Sequence, residues 1–135
     1  MQTNPDMIED PYPFQALLGF TITGWAPDFC QLHQPVHPDL GNRFGIPHGG
    51  VYATLLDTVM GFCGCYTGSK SEVRQAMTLT LNVNYLSRPK GRTLIAEGRR
   101  IGGGARTFFA ESDLKDETGE LIATATGAFR YRSAG

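Results

Sequence analysis

The chain has little of what usually marks a disulfide scaffold or a metal site. Its 135 residues include three cysteines, three histidines and one tryptophan. Cys30, Cys63 and Cys65 are an odd set without metal-like pairing, and Cys63 and Cys65, two apart, would point in different directions on a helix. They read as small buried hydrophobes in a reducing compartment. His33 and His37 stand at helical spacing, but Pro35 lies between them and Pro38 follows, so they share no helical face and no metal is assigned. Charge of one sign is not in excess either. Lys and Arg number 12 against 13 Asp and Glu, and the net charge of −1 gives no whole-molecule field for nucleic acid or an anionic membrane. No apolar run is long enough to span a bilayer, and the opening MQTNPDMIEDPYPF is acidic where a secretory signal would be basic. The expectation is a soluble, cytoplasmic protein. Its length and 41% apolar content fit one domain, residues 1–135, around one core.

What is present falls into periods. Residues 12–18, YPFQALL, read as a short helical turn ended by Gly19, with a loop as the alternative. From Phe20 to about Gln34, β-branched and aromatic residues broken by APD suggest a two-stranded hairpin, and HPDLGNRFGIPHGG is loop. From Gly49 or Gly50 to about Gly64 the period becomes helical. Val51, Leu55, Val59 and Phe62, with Tyr52, Leu56, Met60 and Cys63, form a wide apolar arc, leaving only Thr54, Asp57, Thr58 and Gly61 as a narrow second face. After TGSKSE the period is two. Met77, Leu79, Leu81, Val83 and Tyr85 alternate with Thr78, Thr80, Asn82 and Asn84, the pattern of a long half-buried strand. Three further strands follow in RTLIAEGRRI, RTFFAESDLKD and ELIATATGAFRYR, with GGGA as a break or bulge and DETG as a turn, before a disordered-looking SAG. A single antiparallel sheet must then curl round one nearly all-apolar helix. That is an α+β architecture with the geometry of the hotdog fold.

The stretch NRFGIPHGGVYATLLDTVMG, followed by TLTLNVNYLSRP, resembles the hotdog acyl-CoA thioesterases of the hydroxybenzoyl-CoA and phenylacetate-pathway (PaaI-like) type. The resemblance extends over about residues 15 to 132 and rests on Asn42 six before His48, the HGG itself, and Asp57 nine after it. It implies that Asp57 is the catalytic carboxylate, that the Gly49 N–H meets the thioester carbonyl, and that Asn42 holds the nucleophilic water or the carbonyl. Thr78 falls where related enzymes carry a hydroxyl near the acid. The resemblance also implies a homodimer, often paired into a tetramer, whose sites take Asp57 from one subunit and the Asn42–Gly50 loop from the other.

The chemistry is reasonable on the residues alone. A helix N-terminus has N–H groups without partners and a dipole that favours an anion, and Gly49 and Gly50 have no Cβ to block an acyl group. A carboxylate two turns on, among apolar side chains, stays basic by desolvation and can serve as base or as direct nucleophile. Each residue also has a plainer reading. Asp57 could be a solvated polar-face acid, His48 a helix-entry residue supporting rather than performing catalysis, Gly49 and Gly50 a tight loop passage and Asn42 a turn residue. For the coenzyme A phosphates the candidate cations are Arg88 and Lys90 after the first long strand, and Arg99, Arg100 and Arg106 around IGGG, whose glycines would let a pantetheine arm or a nucleotide lie against the sheet. GGGAR is not a phosphate loop, since no Lys-Ser/Thr or helix follows. No cofactor is expected beyond the coenzyme A of the substrate. The alternatives are a hotdog protein that binds acyl-CoA without cleaving it, and a hotdog hydratase or dehydratase using His48. Tyr52, Phe62, Tyr66 and Phe44 could line an aromatic acyl pocket.

Overall fold

The computed structural model describes residues 5–132, so the opening MQTN and the closing SAG of the sequence lie outside it. Helix α1 spans Pro13–Leu18 and ends on Gly19 at φ 92°, a left-handed stop that glycine adopts without cost. Strands β1 (Thr21–Ala26) and β2 (Phe29–Pro35) form the hairpin, with Asp28 at φ 61° in its turn. Helix α2 runs Gly49–Cys63. Strands β3 (Ala76–Tyr85), β4 (Thr93–Gly103), β5 (Thr107–Asp116) and β6 (Leu121–Tyr131) follow, all antiparallel, in the sheet order β1-β2-β4-β5-β6-β3.

The sheet curls because it must cover a helix that is apolar on most of its circumference. Val51, Tyr52, Leu55, Leu56, Val59, Met60 and Cys63 of α2 are all buried, against Leu32, Leu94, Ala96, Phe108, Ala110, Leu114, Ile122 and Phe129 of the strands. Burying each large side chain contributes on the order of 1.5–3 kcal/mol. Strand β4 approaches α2 most closely at Gly98, where an added Cβ would lie 2.5 Å from the Val59 carbonyl oxygen. Only glycine permits that crossing. The C-terminal carbonyls of α2, which have no partners inside the helix, are taken up by the sheet: Trp25 Nε1 donates to the Phe62 carbonyl at 2.8 Å and the Tyr131 hydroxyl to that of Gly64 at 2.7 Å. Helix α1 is tied down by two buried glutamines, Gln15 donating to the Phe20 carbonyl and Gln34 to that of Leu18.

One expectation changes. The alternation in 77–85 predicts a half-buried strand, yet β3 is the outermost strand beside β6, and Met77, Leu79, Tyr85 and Leu86 are each at least half exposed. Period two says that one face is apolar; it does not say what covers that face. Val83 packs against the core and Tyr85 against Tyr52, while Met77, Leu79 and Leu86 stay largely open, and among the described residues no strand neighbours the outer edge of β3.

Candidate active site

Asp57 sits in the third turn of α2, on the narrow face that the core leaves uncovered. Its Oδ1 accepts a hydrogen bond from the Thr78 hydroxyl on β3 at 2.8 Å. It also forms part of the wall of a cavity of about 390 Å³, with Thr58, Gly61 and Phe62 of α2, Trp25, Phe129, Tyr12 and Glu9. Burial pushes the Asp57 carboxyl above the usual carboxylate range, and the Thr78 hydrogen bond pulls the other way without cancelling it. The site therefore holds one basic carboxylate, oriented by a hydroxyl and flanked by aromatic walls. Of the aromatic residues considered from sequence, Phe62 lines this cavity. Tyr66 packs on Trp25, Tyr52 on Tyr85, and Phe44 is largely exposed under Arg43. Trp25, Tyr12 and Phe129 could not be picked out in advance, since only the curl of the sheet brings them to one place.

At the other end of α2, His48 is the N-cap and its Nδ1 accepts the Gly50 N–H at 2.7 Å. A Cβ on Gly50 would lie 2.9 Å from that same nitrogen, so glycine keeps the cap in place. That bond engages Nδ1 as an acceptor and leaves Nε2 as the ring's other polar atom. Asn42 organises the preceding loop: its Oδ1 accepts the N–H groups of Phe44 at 2.8 Å and Ile46 at 3.4 Å. The Gly49 carbonyl accepts the Tyr85 hydroxyl at 3.0 Å, and its N–H is one of the first-turn donors without an intrahelical acceptor. Asp57 stands eight positions along the helix from Gly49, about 12 Å at 1.5 Å per residue. One chain thus brings Asp57 and Thr78 together, and Asn42, His48, Gly49 and Gly50 together, but not the two groups to each other.

The candidate phosphate-binding cations also separate. Arg99 is held by Asp113 at 2.8 Å and Glu111 at 3.3 Å across β4 and β5. Arg100 turns to the carbonyls of Gly102 and Gly104 and lies 4.0 Å from Asp28. The Lys90 ammonium is 3.3 Å from Glu120, and Arg88 is in the same β3–β4 loop. Arg106 alone of the five lines a second cavity, with Arg74, Arg130 and Arg132. Those three went unnoticed in the sequence, although FRYR, two arginines alternating with a tyrosine at a strand end, was a usable signal. Cys63 and Cys65 offer no nucleophile: burial pushes their thiols up to about 12 and about 11. Among the described residues no group of three or more His, Cys, Asp or Glu is placed to hold a metal ion. Among the described residues no helix is long and apolar enough to cross a membrane.

A curled six-stranded antiparallel sheet around one long helix, with a carboxylate on the helix's open face, defines a hotdog-fold protein of the thioesterase kind. The thioesterase superfamily model matches residues 44–123, from the loop before α2 into β6, and the chain belongs to that family. The medium/long-chain acyl-CoA thioesterase YigI of Escherichia coli is 29% identical over 131 residues, covering 87% of this chain and 84% of YigI. The BH2602 protein of Bacillus halodurans, solved with CoA, superposes with a TM-score of 0.74 at 26% identity over 88% of this chain and 75% of its own. The PaaI protein of the E. coli phenylacetic acid degradation operon shares the fold, with a TM-score of 0.78 at 17% identity over 90% of this chain and 85% of its own. The family expected from the HGG stretch is the family found, and the chain is a thioester hydrolase by membership.

Proposed function

We propose that this protein hydrolyses acyl-CoA thioesters, with aryl or short to medium acyl groups, to the free acid and CoA. Asp57 is the base or the nucleophile and the Gly49 N–H polarises the thioester carbonyl. The observation that carries this reading is the setting of Asp57: a desolvated carboxylate, held by Thr78, in the wall of a cavity lined by Trp25, Phe62 and Phe129. The substrate of YigI and the CoA in BH2602 support acyl-CoA as the class. The three cysteines are all unpaired, as a reducing cytoplasm would leave them.

The working unit in this reading is a homodimer, paired further into a tetramer. The nucleophile must reach the carbonyl carbon while the polarising N–H reaches the oxygen bonded to it, which about 12 Å of helix within one chain forbids. A second copy that pairs along β3 would cover Met77, Leu79 and Tyr85, remove an exposed apolar edge, and offer its own Asn42–Gly50 loop to Asp57.

The test is thiol release from a panel of aryl-CoA and short- to long-chain alkyl-CoA thioesters, with wild type and Asp57→Asn side by side. Wild type should turn over at least one substrate, and Asp57→Asn should lose on the order of a thousandfold in kcat. Equal turnover by a normally melting Asp57→Asn would remove Asp57 from the mechanism. Absence of release from every substrate would remove hydrolysis.

A further inference from the structure

Thr78 and Tyr85 stand seven residues apart on β3, an odd separation that in a regular strand puts two side chains on opposite faces. Here both reach α2. The Thr78 hydroxyl donates to Asp57 Oδ1 at 2.8 Å, and the Tyr85 hydroxyl donates to the Gly49 carbonyl at 3.0 Å. A β-bulge makes this possible: Thr78 lies opposite Phe129 but Thr80 lies opposite Ala128, so Leu79 is an extra residue and the parity of the strand changes across it. Beyond the bulge Val83 and Tyr85 stand opposite Ala125 and Ala123, which are buried as Phe129 is. The strand end that carries Tyr85 is itself tied to β6, the N–H groups of Leu86 and Ser87 both reaching the Ile122 carbonyl, at 2.9 and 3.0 Å.

At the start of α2 the other donors are already used. The Gly50 N–H goes to His48 Nδ1 at 2.7 Å, the Val51 N–H to the His48 carbonyl at 2.9 Å, and the His48 N–H to the Leu40 carbonyl at 2.8 Å. The Gly49 N–H is left over. A residue without a Cβ has wide freedom in φ and ψ, so a donor on glycine is loosely aimed unless its surroundings hold it. Tyr85 holds Gly49 in two ways: its hydroxyl pins the carbonyl, and its ring lies so close that a Cβ on Gly49 would be 3.2 Å from Cε1. The ring is backed in turn by the buried Tyr52, with 6.2 Å between centroids. We infer that Tyr85 is a positioning residue for the reaction: through the Gly49 carbonyl it fixes the direction of the Gly49 N–H, and the bulge at Leu79 lets one strand align both the acid and the polarising donor. This rests on the acyl-CoA hydrolase reading and adds to it what aims the polarising group. In the homodimer of that reading, Thr78 holds the acid of its own subunit and Tyr85 holds the donor that serves the acid of the other.

The experiment compares wild type with Tyr85→Phe, which keeps the ring against Tyr52 and Gly49 and removes one hydrogen bond. Two readouts are taken. First, on the acyl-CoA panel, kcat should fall about tenfold while KM changes by less than about twofold, because a misaimed donor weakens the transition state more than the bound substrate. The acid limb of kcat/KM should stay at its wild-type pH, since Tyr85 makes no contact with the acid that sets it. A merely structural tyrosine would lower the melting temperature and leave kcat below the transition unchanged. Second, the carbonyl stretch of 13C-carbonyl-labelled benzoyl-CoA and octanoyl-CoA is recorded by infrared difference on Asp57→Asn and on Asp57→Asn/Tyr85→Phe. The single variant should lower the frequency below that of the free thioester, and the double variant should lose about half of that shift or more. An unchanged kcat in a normally melting Tyr85→Phe overturns the assignment, and so do equal carbonyl bands in the two Asp57→Asn proteins. If wild type cleaves no thioester, the hydrolysis reading fails by itself, and the carbonyl band still decides whether Tyr85 aims the Gly49 donor.

Discussion

Two aspartates show how this molecule separates structure from chemistry. Asp116, at the end of β5, accepts hydrogen bonds from the N–H groups of Lys90 at 2.6 Å, Gly91 at 2.8 Å, Thr118 at 2.9 Å and Glu120 at 3.2 Å, and from the Thr118 hydroxyl at 2.6 Å. It is buried, and burial alone would raise its pKa, but these donors outweigh that and hold the carboxyl well below the usual range. Asp57 accepts one hydroxyl and faces a cavity, and there burial wins. A carboxylate whose lone pairs are all used is a knot tying the β3–β4 loop to the β5–β6 turn. One with lone pairs left over, in a space the size of an acyl group, is available to react.

The comparison can be broken most sharply by amide substitution at both positions. Asp57→Asn should cost about a thousandfold in kcat and leave the melting temperature at neutral pH unlowered, because the charge it removes is one that folding desolvates. Asp116→Asn should do the reverse. An amide places an NH₂ against some of the backbone donors, at a cost of about 3 kcal/mol of stability, while kcat below the melting transition is retained. Chemical denaturation of the two variants in parallel checks both, and a destabilised Asp57→Asn or an inactive but stable Asp116→Asn would reverse the assignments.

Acid sharpens the contrast. A carboxyl held lower in the folded than in the unfolded state adds stability that is fully present above the ordinary carboxylate range and is lost as pH falls through it, so wild type should lose more melting temperature on acidification than Asp116→Asn. Asp57 has the opposite displacement and should appear as an acid limb in kcat/KM above the ordinary carboxylate range. Thr78→Val removes the one hydrogen bond that favours its charged form and should move that limb to higher pH, whereas Thr78→Ser should restore it. Smallest of all, Asn42→Ala should cost less than tenfold in kcat/KM, with about 1 kcal/mol of stability from two lost loop hydrogen bonds.

Much of this was legible in the chain. The apolar arc of 51–63 required a helix covered on most sides, period two in the last half required strands, and the two constraints together required a sheet that curls. The contact of Thr78 with Asp57 was expected from the resemblance, and the structure places the two hydroxyl and carboxylate oxygens 2.8 Å apart. The surroundings of the candidate phosphate cations were not legible in the same way. Arg99 and Arg106 look alike in sequence, but the antiparallel register sets Arg99 beside Glu111 and Asp113, while Arg106 falls at a strand corner where Arg130 and Arg132 arrive from β6.

By itself the sequence determined periodicity, helix entry and the one carboxylate inside an apolar helix, since each depends on residues within a few positions of one another. Only the tertiary structure decided which charges are neutralised, which aromatic rings line the cavity, and that Met77 and Leu79 of β3 stay largely exposed. Those depend on residues far apart in the chain, and the sheet's register and curl alone bring such residues within hydrogen-bonding reach.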